Sequence, residues 1–208
     1  MMRISLFSSK LSFLVIAFFA FPFIIETPCI LKLWLKNVPD WSVCFFRFEI
    51  ARNMLDQLTI TLTSAITAEG HIKYYSIFRG CSYFLPLPVS ILLFHLGLSP
   101  FWFYIVWILA WNGVGSVVVL YYAHVNCGMQ YGVFFRNVVL PIIVVTCMSL
   151  MVGIALSSFM EDSFVRLLCV SCITIITFLL STWLVALSNE EKTVVSTAVL
   201  SLVKRYKK

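Results

Sequence analysis

Six apolar runs, each long enough to cross a bilayer, leave this chain very few architectures. They occupy residues 11–35, 43–68, 74–96, 101–123, 138–159 and 164–187. A helix needs roughly 20 residues to cover about 30 Å of hydrocarbon, and every run reaches that length. Lipid offers the backbone no hydrogen bonds, so only helices or a closed barrel can cross it, and these runs are too long for barrel strands. The connections are short and polar: Asn37-Val38-Pro39-Asp40, Glu69-Gly70-His71, Gly97-Leu98-Ser99-Pro100, Asn126-Cys127-Gly128 and Glu161-Asp162. Short connections make consecutive helices antiparallel neighbours. The expected fold is all-α, a polytopic membrane protein with six transmembrane helices over residues 1–188 and a basic tail over 189–208.

Composition agrees with that pattern. Of 208 residues, 61% are hydrophobic and 12% charged, against about 45–50% and about 25% in soluble domains. A water-soluble globule, a disordered chain, a collagen-like chain and a small disulfide scaffold are excluded. The net charge of +6 forms no patch that would read nucleic acid, because the basic residues lie between apolar runs and at the two ends. Their distribution predicts topology instead. With the N-terminus in the cytoplasm, Arg3, Lys10, Lys73, Arg79, Arg136, Lys192, Lys204, Arg205, Lys207 and Lys208 fall inside. Only Lys32, Lys36 and Arg166 fall outside, while Arg47 and Arg52 lie within the second run. Both termini are therefore expected in the cytoplasm. The first run resembles a secretory signal, but no small-residue cleavage site follows it, so it is read as a retained first helix.

Enzyme chemistry has no motif here. The seven cysteines lie mostly in apolar runs, where a thiol acts as a small hydrophobe. The pair Cys169 and Cys172 has no second pair to complete a metal site. His71, His95 and His124 share no ligand spacing. No Ser/His/Asp group, HExxH or phosphate loop is present. No metal, cofactor or catalytic residue is expected.

The second run is the anomaly. It carries Arg47, Glu49, Arg52, Asn53, Asp56 and Gln57, most of them at three- and four-residue steps along one helical face. An ionisable group at bilayer depth costs about 2.5–3.5 kcal/mol on insertion scales. Glu49–Arg52 and Arg52–Asp56 have the spacing of internal ion pairs, so the face is either a ladder that locks helix packing or a wall of a hydrophilic path. Four charges and two amides exceed what locking needs, which favours the path. Glu26 is a second anomaly, set before Thr27-Pro28 and after Pro22. Proline removes an internal hydrogen bond, so a bend or break is expected there. A carboxylate beside a broken helix either forms a cation or proton site, or caps freed backbone and pairs with Lys32. Pro86 and Pro88 predict a kink in the third run.

Several segments resemble a known family. The stretch from Glu26-Thr27-Pro28-Cys29-Ile30-Leu31-Lys32-Leu33-Trp34-Leu35 to Val38-Pro39 is similar to the E-x-P-x-I-L-x-L-W-L-G-x-V-P segment of Bacteroides-type, Wzx-like polysaccharide flippases, with Asn37 where the family usually has glycine. Ala68-Glu69-Gly70-His71-Ile72-Lys73-Tyr74-Tyr75 resembles their A-x-G-x-I-K-x-Y loop. Leu85-Pro86-Leu87-Pro88, Gly97-Leu98-Ser99-Pro100 and the closing Ser188-Asn189-Glu190-Glu191-Lys192 look like later parts of the same proteins. The resemblance implies the C-terminal lobe and trailing helices of a MOP/MATE-like transporter in a bacterial inner membrane. It implies a lipid-linked oligosaccharide as substrate, carried on undecaprenyl diphosphate, with membrane lipids around it. Arg47 and Arg52 would meet the diphosphate or an acidic sugar, and Glu26, Glu49 and Asp56 would serve cation coupling or gating. A truncated or split transporter is expected, whose partner is a missing N-terminal lobe or a second copy. A multidrug cation antiporter of the same superfamily is the nearest alternative, and a membrane enzyme of polysaccharide assembly a more distant one.

Overall fold

The computed structural model describes residues 2–161 and 163–206, with side chains through Thr197. Asp162 of the last expected connection, and Lys207 and Lys208 of the tail, lie outside the described residues. Those residues form helices and turns without a strand. Five helical segments are long and apolar enough to cross a membrane: Met2–Ile25, Lys73–His95, Phe101–Cys127, Tyr131–Phe159 and Phe164–Ala186. This is a membrane protein.

The residues of the expected second span form α3 (Ser42–Glu69), the longest α-helix at 28 residues, which is not among those five. It is as long as the other five require, but Arg47, Glu49, Arg52 and Asp56 hold its apolar content below theirs. It begins after Trp41, whose φ of 71° is the only positive value at a non-glycine among the described residues. That backbone is costly for a side chain with a Cβ. Aromatic packing holds it: Trp41 stacks on Phe45 and tilts onto Phe101, while Phe45 stacks on Tyr104 at 4.7 Å. Gly70, at φ 91°, closes the other end in the left-handed conformation that ends many helices.

The first span differs from expectation at both ends. Helix α1 (Met2–Ile25) starts well before residue 11 and stops at Glu26, and a short α2 (Thr27–Trp34) follows. It can start early because its polar residues have partners inside the protein. Ser9 shares a hydrogen bond with Thr61, whose hydroxyl also donates to the Ser5 carbonyl at 2.9 Å. Buried Lys10 donates to the Ala186 carbonyl at 2.8 Å and to Glu191 at 2.6 Å. The break at Glu26 lies where Pro28 predicts it.

The third span divides at Leu85 into α4 (Lys73–Phe84) and α5 (Pro86–His95), because Pro86 has no N–H to continue the ladder. The fourth runs from α6 (Phe101–Trp107) through a π turn at Ile108–Val114 into α7 (Gly115–Cys127). The fifth starts earlier than expected, with α8 (Tyr131–Phe134) and a π turn at Phe135–Val139 leading into α9 (Leu140–Phe159). That π turn comes just before Pro141, which cannot donate to the carbonyl four residues back. The run expected as the sixth consists of α10 (Phe164–Ser181) and a π turn at Thr182–Ala186.

The tail forms α11 (Asn189–Tyr206). Its start is a capping box: Glu191 accepts the Ser188 N–H at 2.8 Å while Ser188 Oγ accepts the Glu191 N–H at 3.4 Å.

Helix α1 is the centre of the bundle. It packs on α3 along one side and on α9 and α10 along the other, and α7 and then α4 continue outward from α3. Phe21 of α1 meets Phe178 of α10 edge-on at 5.5 Å, and Leu62, Ile66, Val119 and Ala123 fill the α3–α7 contact. At Gly153 of α9 a Cβ would lie 2.3 Å from Ile25 Cδ1 and 2.7 Å from Thr174 Oγ1, so glycine sets how closely α1, α9 and α10 meet. The outer faces expose large apolar side chains such as Leu184, Phe84 and Met151, as a lipid-facing surface does.

Candidate functional site

The charged residues of the sequence do not form one site. They fall into three groups arranged around α1 and α3.

The first group is the ladder on α3. At 1.5 Å per residue this helix is about 42 Å long, and Asp56 lies near its midpoint. The buried Arg52 guanidinium grips Glu49 in two places, Nε to Oε2 at 3.0 Å and Nη2 to Oε1 at 2.6 Å. Its Nη1 donates to Asp56 Oδ2 at 3.2 Å. A two-pronged contact of this kind is the strongest arrangement an arginine and a carboxylate make. Asn53 Nδ2 adds a bond to Glu49 Oε1 at 3.0 Å. The fourth span completes the set. Asn112 Nδ2 donates to Asp56 Oδ1 at 3.0 Å and to the Arg52 carbonyl at 3.1 Å, and the Trp111 ring lies 5.0 Å under the guanidinium. Both residues belong to the π turn Ile108–Val114. Its wider winding brings two successive side chains to α3, and such turns are frequent at functional sites.

The ladder is closed on one side and open on the other. Arg52 and Asn112 are buried against the bundle, whereas the Glu49 side chain keeps 44% of its surface exposed and Asn53 is exposed. Gln57, half-buried, follows one turn on. The arrangement therefore combines both roles left open by the spacing, a lock toward α7 and a polar edge away from it.

Arg47 forms a second group with the break in α1. Its Nε donates to the Ile24 carbonyl at 2.8 Å and its Nη2 to the Ile25 carbonyl at 3.2 Å. Ile24 is the residue whose carbonyl Pro28 would have served had it an N–H. Thr27 Oγ1 assists, donating to the Phe23 carbonyl at 2.5 Å. Arg47 thus supplies the bonds that proline removed, and α3 is tied to the point where α1 breaks. Replacing Arg47 with alanine is expected to cost about 1–2 kcal/mol, since carbonyls in an apolar setting lose charged donors. Thermal unfolding in detergent would show it as a lower midpoint, with Arg47→Lys falling between.

The third group lies on the opposite side of α1. Glu26 is fully buried, and its Oε2 accepts from Arg166 Nη2 of α10 at 3.1 Å. Glu26 Oε1 has no hydrogen-bond partner. The carboxylate therefore joins α1 to α10 and stays apart from the α3 ladder.

The chain matches no protein-family model, no curated protein and no solved structure. Its site must be read from its own geometry.

Four residues escape the sequence reading. Arg166 and Arg79 count there as topological flanks, yet Arg79 lies two turns into the third span. It donates to Tyr83 Oη at 3.1 Å and reaches the Trp111 carbonyl at 3.5 Å. Gly115 makes room for it, because a Cβ there would sit 2.2 Å from Arg79 Nη1. Asn112 and Trp111 are given no role in that reading. Charge count offered no signal for them, because the second run holds two arginines against two carboxylates. Among the described residues no three His, Cys, Asp or Glu side chains gather to hold a metal.

Proposed function

We propose that this chain is one lobe of a flippase-type transporter that moves undecaprenyl-diphosphate-linked oligosaccharide across a bacterial inner membrane. Helix α3 is then a sixth span, both termini are cytoplasmic, and the open edge of α3 lines the path. One observation carries this reading: on a helix long enough to cross a bilayer, the Glu49 side chain keeps 44% of its surface exposed and Asn53 is exposed, while their neighbour Arg52 is anchored inward. Hydrocarbon cannot solvate a carboxylate and an amide, so this edge faces water or another protein surface. A second lobe or a second copy of the chain opposite α3 would enclose it. Glu49, Asn53 and Gln57 supply a carboxylate and two amides along that wall, suited to sugar hydroxyls, while Arg47 is held at the Ile24 and Ile25 carbonyls. The resemblance of the Glu26–Pro39 and Ala68–Tyr75 segments to polysaccharide flippases supports the substrate class.

Two measurements test the proposal. In a cysteine-free background, Asn53→Cys is expected to react with a membrane-impermeant maleimide, and Leu180→Cys, on the outer face of α10, to stay unreactive. Equal protection of both positions would remove the path. Deletion of the gene in its native host is expected to abolish a surface glycan and to accumulate its lipid-linked precursor, with Glu49→Leu failing to restore it. Intact glycan together with new sensitivity to cationic drugs would assign the path to an antiporter instead.

A further inference from the structure

A cleft of about 770 Å³ opens at the end of the bundle where α1 begins, far from the open edge of α3. Its walls come from α1, the π turn at Phe135–Val139, the π turn at Thr182–Ala186 and the start of α11. Three cations, Arg3, Lys10 and Arg136, line it against two carboxylates, Glu190 and Glu191. Two of the cations are matched: Arg3 pairs with Glu190, and Lys10 with Glu191 at 2.6 Å. Arg136 makes no hydrogen bond or ion pair among the described residues, and it is exposed. The cleft therefore holds one positive charge in excess, on a side chain that is free to reach a ligand.

Gln130, Asn137 and Ser188 add neutral polar groups, and apolar side chains such as Phe7, Val133 and Val185 supply most of the rest. Arg136 lies five residues into the span Tyr131–Phe159, about 8 Å along the helix from its end, which is the depth of lipid headgroups. The volume falls within the roughly 300–1,000 Å³ of small-molecule sites. A cationic group at headgroup depth beside apolar walls matches an amphiphile with a phosphate, and basic pockets between membrane helices bind such headgroups. We propose that this cleft binds an anionic glycerophospholipid, with its phosphodiester at Arg136 and the first carbons of an acyl chain against Phe7 and Val133. The proposal stands independently of the transport reading, because it uses none of the α3 or Glu26 residues. A lipid bound there would bridge α1, the fifth span and α11, all of which contribute to the cleft.

The test uses the full chain in nanodiscs of phosphatidylglycerol or of phosphatidylcholine, released and weighed by native mass spectrometry. The wild type is expected to retain phosphatidylglycerol and to shed phosphatidylcholine. Arg136→Gln should retain about fivefold less phosphatidylglycerol, the effect of one basic residue near a charged headgroup. Arg136→Lys keeps the charge and should retain it, as should Lys36→Gln at the opposite end. Circular dichroism of Arg136→Gln in phosphatidylcholine, matching the wild type, separates lost binding from lost folding. Equal retention by the wild type and a folded Arg136→Gln would overturn the proposal. So would protection of the wild type by inorganic phosphate alone, or retention of a polyprenyl diphosphate in preference to phosphatidylglycerol.

Discussion

Arg52→Leu is expected to destabilise the protein by about 3–5 kcal/mol, the cost of breaking a buried charge set by removing one partner. The substitution leaves Glu49 and Asp56 on α3 without the guanidinium that binds both. Asn112 cannot replace it, because it offers Asp56 an amide and no charge. In detergent the variant should unfold at a clearly lower temperature and aggregate on purification. The combined variant Glu49→Gln, Arg52→Met, Asp56→Asn should behave differently. It removes all three charges together, and neutral replacement of a buried ion set is often tolerated or stabilising. If this variant folds well and fails to restore surface glycan, the charges serve the path. If it folds and restores glycan fully, they serve packing alone, and the exposed edge must act through Asn53 and Gln57.

A second large loss is expected for Glu26→Ala, again about 3–5 kcal/mol. Here the residue left behind is Arg166, whose side chain is only 12% exposed and which would lose its bond to a buried carboxylate while keeping the one to the Met160 carbonyl. Glu26→Gln keeps the shape and one acceptor but no charge, so its unfolding midpoint should lie between those of the wild type and the alanine variant. The double variant Glu26→Ala, Arg166→Ala should recover part of the loss. A coupling energy above about 0.5 kcal/mol in that cycle would show the two residues acting as one unit. Strictly additive losses would show that Glu26 is held by something other than Arg166.

Much of the architecture was legible because the bilayer imposes a length on every crossing. Of the six apolar runs, five located helices long and apolar enough to cross a membrane and the charged second run located α3, while Pro28 and Pro86 located the breaks. The ends of spans were less legible. Ser9, Lys10 and Arg136 look like flanking polar residues, yet all three lie inside helices. Ser9 and Lys10 can do so because Thr61 and Glu191 receive them, and nothing local announces such distant partners. The same limit applies to the charged groups. The pairs Glu49–Arg52 and Arg52–Asp56 lie on one helix at readable spacing, and both form. Asn112 with Asp56, and Arg166 with Glu26, are separated by 56 and 140 residues, and helical periodicity carries no information across that distance. Arg47 was expected to meet a diphosphate or an acidic sugar; its placement on the Ile24 and Ile25 carbonyls follows from Pro28, nineteen residues away on another helix. The π turns have no residue signature of their own.

Those wide turns leave the fourth span with a choice of winding. A π turn absorbs a residue beyond what α geometry holds, so rewinding Ile108–Val114 as α would swing Gly115–Cys127 by on the order of 100° relative to Phe101–Trp107. The swing would carry Val119 and Ala123 off α3 and draw Asn112 away from Asp56. The two bonds of Asn112, to Asp56 and to the Arg52 carbonyl, thus pin half a membrane helix at a particular angle, and the span is built as an axle with a pin rather than as a strut.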